Sequence, residues 1–267
     1  NASCGSTPVR YITLDLHAGQ LWTVFNALEV RMDNLHSEPH MISLVKEMVM
    51  KKHSICNDDI MVVAPDGGAA KRAKRFADED TGLNCGYALM DKTRKKAGEV
   101  ASVSLIGSVK NMHAIIGDDM CDTGGTICRA AEKLKEEGAK SVTVMFCHGV
   151  FSGNALKRLQ ESPAIDMVVF TNTCDKSYNV NEPVTLGEHD NITFSQLVDY
   201  PKFYMIDITW LLSQAVKCRL TRGSVSKLFE LRCTSEKHMQ HLMKDGKKNI
   251  KQFLTCASGS DLHKCLD

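Results

Sequence analysis

The sequence predicts an α/β domain with a mostly parallel sheet between two layers of helices. Short apolar runs alternate along the chain with segments in which apolar residues recur at helical spacing. Acidic, glycine and hydroxyl-bearing residues collect where several of the apolar runs end. Because ligands of open parallel sheets bind beyond the carboxyl ends of the strands, this arrangement also predicts a ligand site along one edge of the sheet.

Each element follows from its local pattern. Strands are predicted at residues 11–16, 60–64, 85–90, 103–109, 114–116, 142–147, 165–170 and 204–208, with 103–109 as an edge strand. Helices are predicted at residues 39–50, 127–138 and 209–218, with a further helix ending at Leu159. Residues 174–202 are polar and break the alternation, which predicts an irregular insertion.

The segment after the strand at 114–116 carries the strongest chemical signal. It reads D-D-M-C-D-T-G-G-T over residues 118–126 and leads into a helical pattern. A glycine turn between a strand and a helix presents unpaired backbone N–H groups to an anion, so Thr123, Gly124, Gly125 and Thr126 are candidate phosphate ligands. The segment has neither the Gly-Lys-Ser/Thr of a nucleoside triphosphate loop nor the three-glycine dinucleotide pattern.

Three carboxylates in this segment, Asp118, Asp119 and Asp122, would repel a phosphate and therefore need a different ligand group. They suit the hydroxyls of a vicinal diol or a hydrated Mg²⁺ ion, which indicates a sugar phosphate. The alternative is an ordinary turn in which Asp122 or Thr123 only caps the helix. Two acids ahead of T-G-G-T, directly after an apolar strand, favour the sugar-phosphate site.

Two further polar residues follow predicted strands. His17 comes after the strand at 11–16, and Asp66 lies in the P-D-G-G turn after the strand at 60–64. A single histidine is more often structural than catalytic. Without its neighbours, His17 would therefore be predicted to have a structural role. The turn at Asp66 repeats the strand, glycine turn and helix of residues 114–138, and it predicts a second concave edge.

Residues 91–100 read D-K-T-R-K-K-A-G-E-V, with four cations in five residues. Such a run is usually a solvated surface loop. The alternative is catalytic, because Lys and Arg side chains on a mobile loop can close over a transferring diphosphate and stabilise its charge.

These segments together resemble the ribose-phosphate pyrophosphokinases, also called phosphoribosyl pyrophosphate synthetases. The loop at 118–126 is also similar to the phosphoribosyl pyrophosphate loop of type I phosphoribosyltransferases. The other matching motifs are D-L-H-A-G-Q, D-N-L-H-S-E-P, K-T-R-K-K-A-G-E-V, H-G-V-F-S-G, T-N-T and S-V-S-K-L-F, and the resemblance extends over about residues 11–229. It implies a phosphoribosyltransferase-like fold and Mg²⁺-dependent transfer of the diphosphoryl group of ATP to the C1 hydroxyl of ribose 5-phosphate.

The resemblance also implies a role for each candidate residue. The sugar phosphate would be bound by Asp118, Asp119, Asp122, Thr123, Gly124, Gly125 and Thr126, with the ribose hydroxyls on the first two and the 5-phosphate on residues 123–126. His17 and Asp66 would lie on the Mg²⁺ and nucleotide side, and Lys92, Arg94 and His17 would act in catalysis.

The same resemblance divides the chain. Synthetases of this family have two similar α/β domains, so residues 1–37 are interpreted as the remnant of an N-terminal domain. Residues 38–229 would be the C-terminal domain with the ribose 5-phosphate loop, and 230–267 an extension of unknown role. The F-S-D-G-E segment and the Arg-Gln pair that hold ATP in the family do not occur in this sequence. A domain without its partner would expose an apolar face, which predicts association with a second copy or with other synthetase subunits.

The composition of the chain bears on its partners, the state of its cysteines and its location. The chain has 267 residues, a formal net charge of +1 and 43% hydrophobic residues, which gives no global attraction to nucleic acid or membrane. Its eleven cysteines include no C-x-x-C pair, and no stretch reaches membrane-spanning length, which favours reduced thiols and a cytoplasmic location.

Two other functions compete with the synthetase. A phosphoribosyltransferase would share the loop, but D-L-H-A together with K-T-R-K-K counts against it. A non-catalytic, regulatory synthetase homologue is favoured by the lack of the first domain, whereas the intact acid and glycine loop counts against it.

Overall fold

A nine-stranded sheet forms the centre of the part of the chain that the structure describes. This computed structural model describes residues 10–51, 53–93, 102–174, 176–186, 192–221, 223–225 and 228, all of them within the first of two compact units, Asn1–Arg232. The predicted extension at 230–267 lies outside the described residues, and the division into domains stays a prediction.

The strands and helices follow in chain order. The strands are β1 (Arg10–Leu14), β2 (Arg31–Leu35), β3 (Ile60–Ala64), β4 (Gly86–Thr93), β5 (Ser102–Ile106), β6 (His113–Cys121), β7 (Ser141–Gly149), β8 (Met167–Thr171), β9 (Val184–Leu186), β10 (Ile192–Gln196) and β11 (Phe203–Asp207). The α-helices are α1 (Gln20–Ala27), α2 (Glu38–Val45), α3 (Ala70–Ala77), α4 (Gly125–Glu136), α5 (Ala155–Glu161) and α6 (Thr209–Leu220). The predicted helix at 39–50 divides into α2 and a π-helical segment, Lys46–Lys51.

The large sheet has the order β5-β4-β3-β6-β7-β8-β11-β10-β9. The strands from β4 to β11 in this order are parallel, while β5, β10 and β9 pair antiparallel at the two sides. One buried cluster joins the sheet to α4 and α5, and another joins it to α2 and α3. The predicted α/β class, with a parallel sheet between two helical layers and an edge strand near 103–109, is therefore confirmed.

The register of the central strands places the two glycine turns side by side. Val63 of β3 pairs with Ile116 of β6, and both strands run in the same direction. The chain therefore leaves β3 toward Asp66 at the same edge where β6 reaches Asp118 and Asp119.

The prediction of an irregular insertion at 174–202 was wrong, because this segment contributes β9 and β10 to the sheet. β10 pairs antiparallel with β11, so that Phe194 lies opposite Ile206. Phe194 is 6% exposed, and its ring lies 6.1 Å from that of Tyr204. The signal in the sequence was the short run I-T-F-S-Q, in which apolar residues face the core between polar ones.

A separate parallel pair, β1 and β2, is connected by α1. Neither α1 nor β2 was predicted from the sequence, and none of the residues of α1 is buried. Polar contacts, among them the following two, and an apolar cluster with α6 connect this pair to the rest of the unit. Arg219 Nε donates to Asp33 Oδ2 at 2.6 Å, and His148 Nε2 lies 3.1 Å from the Leu14 carbonyl oxygen.

Candidate functional site

The loop between β6 and α4 has the geometry of an anion site. Gly124 is the N-cap residue of α4 and has a φ of 73°, in the left-handed region that favours glycine. No side chain in the described part of the chain caps the helix, so the predicted alternative, in which Asp122 or Thr123 serves only as a cap, is wrong. The first N–H groups of a twelve-residue helix therefore face outward without a side-chain acceptor, as an anion site requires.

The position of this loop is fixed from the neighbouring β7 to α5 segment. The Ser152 N–H donates to the Asp122 carbonyl at 3.0 Å, and the Arg158 guanidinium donates to the Thr123 carbonyl. A Cβ on Gly124 would lie 3.3 Å from Leu159 Cγ, so this turn also packs closely against α5. The carbonyls of the loop are thus bound to α5 and its approach, while Asp122 and Thr123 are exposed.

The two acids that end β6 lie next to one another in a partly buried setting. The Asp119 N–H donates to Asp118 Oδ1 at 2.9 Å. Burial, together with the nearby charges of Asp119 and Asp66, raises the pKa of Asp118 to about 6, although that N–H and the charge of Arg72 act in the opposite direction. A carboxylate in this setting is stabilised by hydroxyl donors or by a cation.

Asp66 lies at the start of the turn after β3. Its Oδ1 accepts hydrogen bonds from the Gly68 and Ala69 N–H groups, at 3.0 and 3.3 Å. The carboxylate therefore caps a short 3-10 helix, Gly67–Ala69, and is held in place beside Asp118. The structure thus brings the predicted residues Asp66 and Asp118 to one edge of the sheet.

His17 reaches the same group of acids from the chain that follows β1. Its Nδ1 lies 2.6 Å from Asp119 Oδ2, although the two residues are 102 positions apart. The His17 side chain is 67% exposed, whereas that of Asp119 is 14% exposed. The imidazole therefore lies on the solvent side of the acids, where a ligand would enter.

A buried ion cluster that sequence reasoning missed lies behind these acids. Arg72 Nη1 donates to Asp15 Oδ1 at 3.2 Å and to Glu38 Oε1 at 3.1 Å, and Arg75 also donates to Glu38. Burial acts against the charged form of Arg72, but the charges of Asp15, Glu38 and Asp119 raise its pKa. The A-K-R run after the P-D-G-G turn was the signal for this cluster, since it places Arg72 beneath the site.

Asp15 is held as a carboxylate in this cluster. Burial alone would raise its pKa, but hydrogen bonding to His36, the charge of Arg72 and the Ser37 hydroxyl and N–H lower the pKa well below its usual range.

Among the described residues, the set of three acidic or histidine ligand atoms within 4.8 Å of one another is Asp15, His36 and Glu38. Arg72 already supplies the positive charge between Asp15 and Glu38, so this buried set does not fit a resident metal. Asp66, Asp118 and Asp119 also carry carboxylate oxygens, the ligand type that Mg²⁺ prefers, but they do not form such a set within 4.8 Å in the described part of the chain. The assignment of His17 and Asp66 to the metal stays a prediction.

Two other features of the sequence are the basic residues Lys92 and Arg94 and the T-N-T segment. Lys92 lies in β4, opposite Val103 of β5, while its side chain and all of Arg94 lie outside the described residues. In the T-N-T segment after β8, one of the matching motifs, the Thr171 and Thr173 hydroxyls donate to the Cys147 carbonyl at 2.8 and 3.2 Å.

His148 has contacts within the protein on both ring nitrogens. Its Nδ1 lies 2.9 Å from Thr173 Oγ1.

The fold and the loop together define the class of protein. A parallel sheet with an acid pair and a T-G-G-T loop at the carboxyl edge places the chain among the α/β proteins of the phosphoribosyltransferase type. Residues 87–230 match the family model described as the phosphoribosyl synthetase-associated domain, which is more than half of the chain. The chain belongs to this family.

One solved structure agrees with this assignment. The phosphoribosylpyrophosphate synthetase from Mycobacterium smegmatis is 28% identical, with a TM-score of 0.62 over 80% of this chain and 59% of that one. This chain therefore spans less than two thirds of the length of that synthetase. A purine phosphoribosyltransferase from Pyrococcus horikoshii Ot3 matches at 20% identity and a TM-score of 0.31, over 50% of this chain and 81% of that one.

None of the helices in the described ranges is both long and apolar enough to cross a membrane.

Proposed function

We propose that this chain carries the ribose 5-phosphate site of a ribose-phosphate diphosphokinase. The reaction transfers the β,γ-diphosphoryl group of ATP to the C1 hydroxyl of ribose 5-phosphate and releases AMP and phosphoribosyl pyrophosphate. The oxygen of the C1 hydroxyl forms a bond to the β-phosphorus, the bond between the α,β-bridging oxygen and that phosphorus breaks, and the hydroxyl proton is lost. The observation that carries the proposal is the 2.6 Å contact between His17 and Asp119 beside an uncapped T-G-G-T loop.

The sugar phosphate would bind across the end of β6 and the start of α4. The N–H groups and hydroxyls of residues 123–126 would donate to the 5-phosphate, with Asp122 at the entrance to the loop. Asp118 and Asp119 would accept hydrogen bonds from the ribose hydroxyls, because ionised carboxylates are acceptors only. Catalysis would then rest mainly on positioning and on stabilisation of charge.

Mg²⁺ and the basic residues complete this proposal. His17 and Asp66 would lie on the side of the metal, and the metal would neutralise charge on the phosphate oxygens of ATP. Lys92 and Arg94 would stabilise the transferring group. His17 also fixes Asp119 through the contact described above, so its role would include orienting an acid that binds the sugar.

The nucleotide half of the site and the assembly are also part of the proposal. Since this chain spans 59% of the similar synthetase, the remaining ATP contacts would come from outside the described residues, from a second copy of the chain or from another synthetase subunit. A cytoplasmic location is proposed on the grounds of composition, and the described cysteines, which are free thiols, are compatible with it.

A coupled assay for AMP tests the proposal. The full chain would be incubated with ATP, Mg²⁺ and ribose 5-phosphate, with Asp118→Ala as the comparison. We expect AMP to form only when ribose 5-phosphate is present, and we expect the variant to lose this activity. A chain that neither forms AMP nor binds ribose 5-phosphate would contradict the proposal.

The same measurements separate the two competing functions. A regulatory homologue would bind ribose 5-phosphate saturably, lose that binding in Asp118→Ala and form no AMP. A phosphoribosyltransferase would instead consume phosphoribosyl pyrophosphate when a nucleobase is supplied.

A further inference from the structure

A groove of about 1000 Å³ lies between α4 and α5 and extends from the phosphate loop along both helices. It is lined by Thr123, Gly125, Thr126, Cys128, Arg129, Glu132, Asn154, Lys157, Arg158, Glu161 and Ser162. Thr123, Gly125 and Thr126 also belong to the phosphate loop, whereas the site residues His17, Asp66, Asp118 and Asp119 do not line the groove. The groove therefore begins at the phosphate loop and does not include the acids of the sugar-phosphate site.

Two guanidinium groups lie near the end of this groove that the phosphate loop forms. A Cβ placed on Gly125 would lie 3.7 Å from Arg129 Nη1 and 4.0 Å from Arg158 Nη1, so both cations border the first turn of α4. Within the described residues, no carboxylate lies within 4.0 Å of either guanidinium. Two neighbouring guanidinium groups repel each other, and an anion between them would remove this repulsion.

The rest of the lining completes a polar site of small-molecule size. Lys157 adds a third cation, which lies 3.8 Å from Glu161 in a weak exposed pair. Glu132 and Asn154 supply acceptors along the walls, where they could bind hydroxyl or amino groups. The volume is close to the upper limit of the roughly 300–1,000 Å³ of typical ligand pockets.

We propose that this groove is a second anion site, which binds a small phosphorylated molecule next to the phosphate loop. Its phosphate would lie between Arg129, Arg158 and Lys157, because guanidinium groups bind phosphate oxygens in a bidentate manner. Arg158 connects the two sites, since its guanidinium also donates to the Thr123 carbonyl. The proposal uses ribose 5-phosphate, the ligand of the proposed function, only as a blocking ligand.

Calorimetric titration with inorganic diphosphate tests the site. Metal is removed with a chelator, and ribose 5-phosphate is present at saturation so that the phosphate loop is occupied. We expect the wild-type chain to bind diphosphate, and the Arg129→Ala/Lys157→Ala variant to bind it at least about tenfold more weakly, since each charge-assisted hydrogen bond that is lost contributes about tenfold. Arg158 is not substituted in this variant, because its guanidinium also holds the phosphate loop through the Thr123 carbonyl.

Lys133→Ala is the matched control, because Lys133 is a cation of the same helix that pairs with Glu137 at 2.9 Å and does not line the groove. This variant should bind diphosphate like the wild type. The proposal is overturned if the double variant binds diphosphate as tightly as the wild type, or if ribose 5-phosphate abolishes diphosphate binding. If ribose 5-phosphate itself does not bind, the proposed function fails, whereas the comparison of variants without the sugar still tests the groove.

Discussion

Arg72 Nη1 lies 3.2 Å from Asp15 Oδ1, and the two residues join α3 to the chain that follows β1. The Arg72 side chain is 11% exposed and that of Asp15 is fully buried. The same guanidinium contacts Glu38, so a single cation compensates two buried carboxylates. This cluster holds the segment that carries His17 against the main sheet.

Replacing Arg72 should therefore destabilise the chain strongly. Arg72→Met leaves two buried carboxylates without this partner, and the expected loss is about 3–5 kcal/mol of unfolding free energy. Urea unfolding of the wild type and the variant measures it. Arg75→Met is the control, because Arg75 contacts the same Glu38 from a side chain that is 46% exposed, and it should cost about 1 kcal/mol or less. Equal losses in the two variants would contradict the central role of Arg72.

Local sequence patterns predicted individual strands and helices but not the contacts between distant segments. The strand Ile60–Ala64 was predicted with its observed bounds, and the helix after the loop was predicted from its buried face. Both signals are local, since each depends on residues within one element. By contrast, Arg72 and Asp15 are 57 positions apart, and no spacing rule connects them.

The missed elements differ in the signal that the sequence carried for them. α1 has apolar residues at helical spacing, Leu21, Phe25 and Leu28, so its pattern was present in the sequence even though the helix buries none of its residues. β9 has three residues and pairs with one neighbour at the end of the sheet, which leaves only a weak pattern. In the site, the acids and the T-G-G-T loop were predictable from their order, whereas the contact between His17 and Asp119 depends on packing between distant segments.

His17→Ala should lower activity without unfolding the chain. We expect kcat for AMP formation to fall about 10–100-fold, as is typical when a partner of a metal site is removed. The free energy of unfolding should change by at most about 1 kcal/mol, because the side chain is 67% exposed. His53→Ala, which alters an exposed histidine away from the site, should change neither quantity. Unchanged kcat in His17→Ala would remove His17 from the proposed mechanism.

Binding of ribose 5-phosphate should weaken as the pH falls through 6. Burial raises the pKa of Asp118 to about 6, and the protonated carboxyl loses an acceptor site for the ribose hydroxyls. Affinity at pH 5 should be about tenfold lower than at pH 7 from this group alone. Calorimetric titrations across this range measure the change. The sugar phosphate also takes up a proton near pH 6, so Asp118→Asn provides the reference profile, and identical profiles would contradict the assignment.

Ionisation of the same carboxyl should lower the stability of the chain as the pH rises, whereas it strengthens the binding of ribose 5-phosphate. A group whose pKa is higher in the folded chain binds more protons there, so its contribution to stability falls as the pH rises from about 4 to about 6. Asp118→Asn removes this penalty and keeps an acceptor for the Asp119 N–H. We expect the variant to be more stable than the wild type by about 1–3 kcal/mol at pH 7 and nearly equal at pH 4. Thermal unfolding at both pH values checks this, and a pH-independent difference would contradict it.

Gly124→Ala should damage the phosphate loop, whereas the neighbouring Gly125→Ala should not distort it. The φ of 73° at Gly124 is unfavourable for alanine, and the new Cβ would lie 3.3 Å from Leu159, so we expect a loss of about 1–2 kcal/mol in unfolding free energy. At Gly125 a Cβ would meet no atom closer than 3.7 Å, and alanine suits the first turn of a helix. Urea unfolding and the KM for ribose 5-phosphate should therefore both respond to Gly124→Ala, since the displaced N–H groups bind the 5-phosphate less well. A normal KM in a destabilised Gly124→Ala variant would show that the loop backbone does not bind the sugar phosphate.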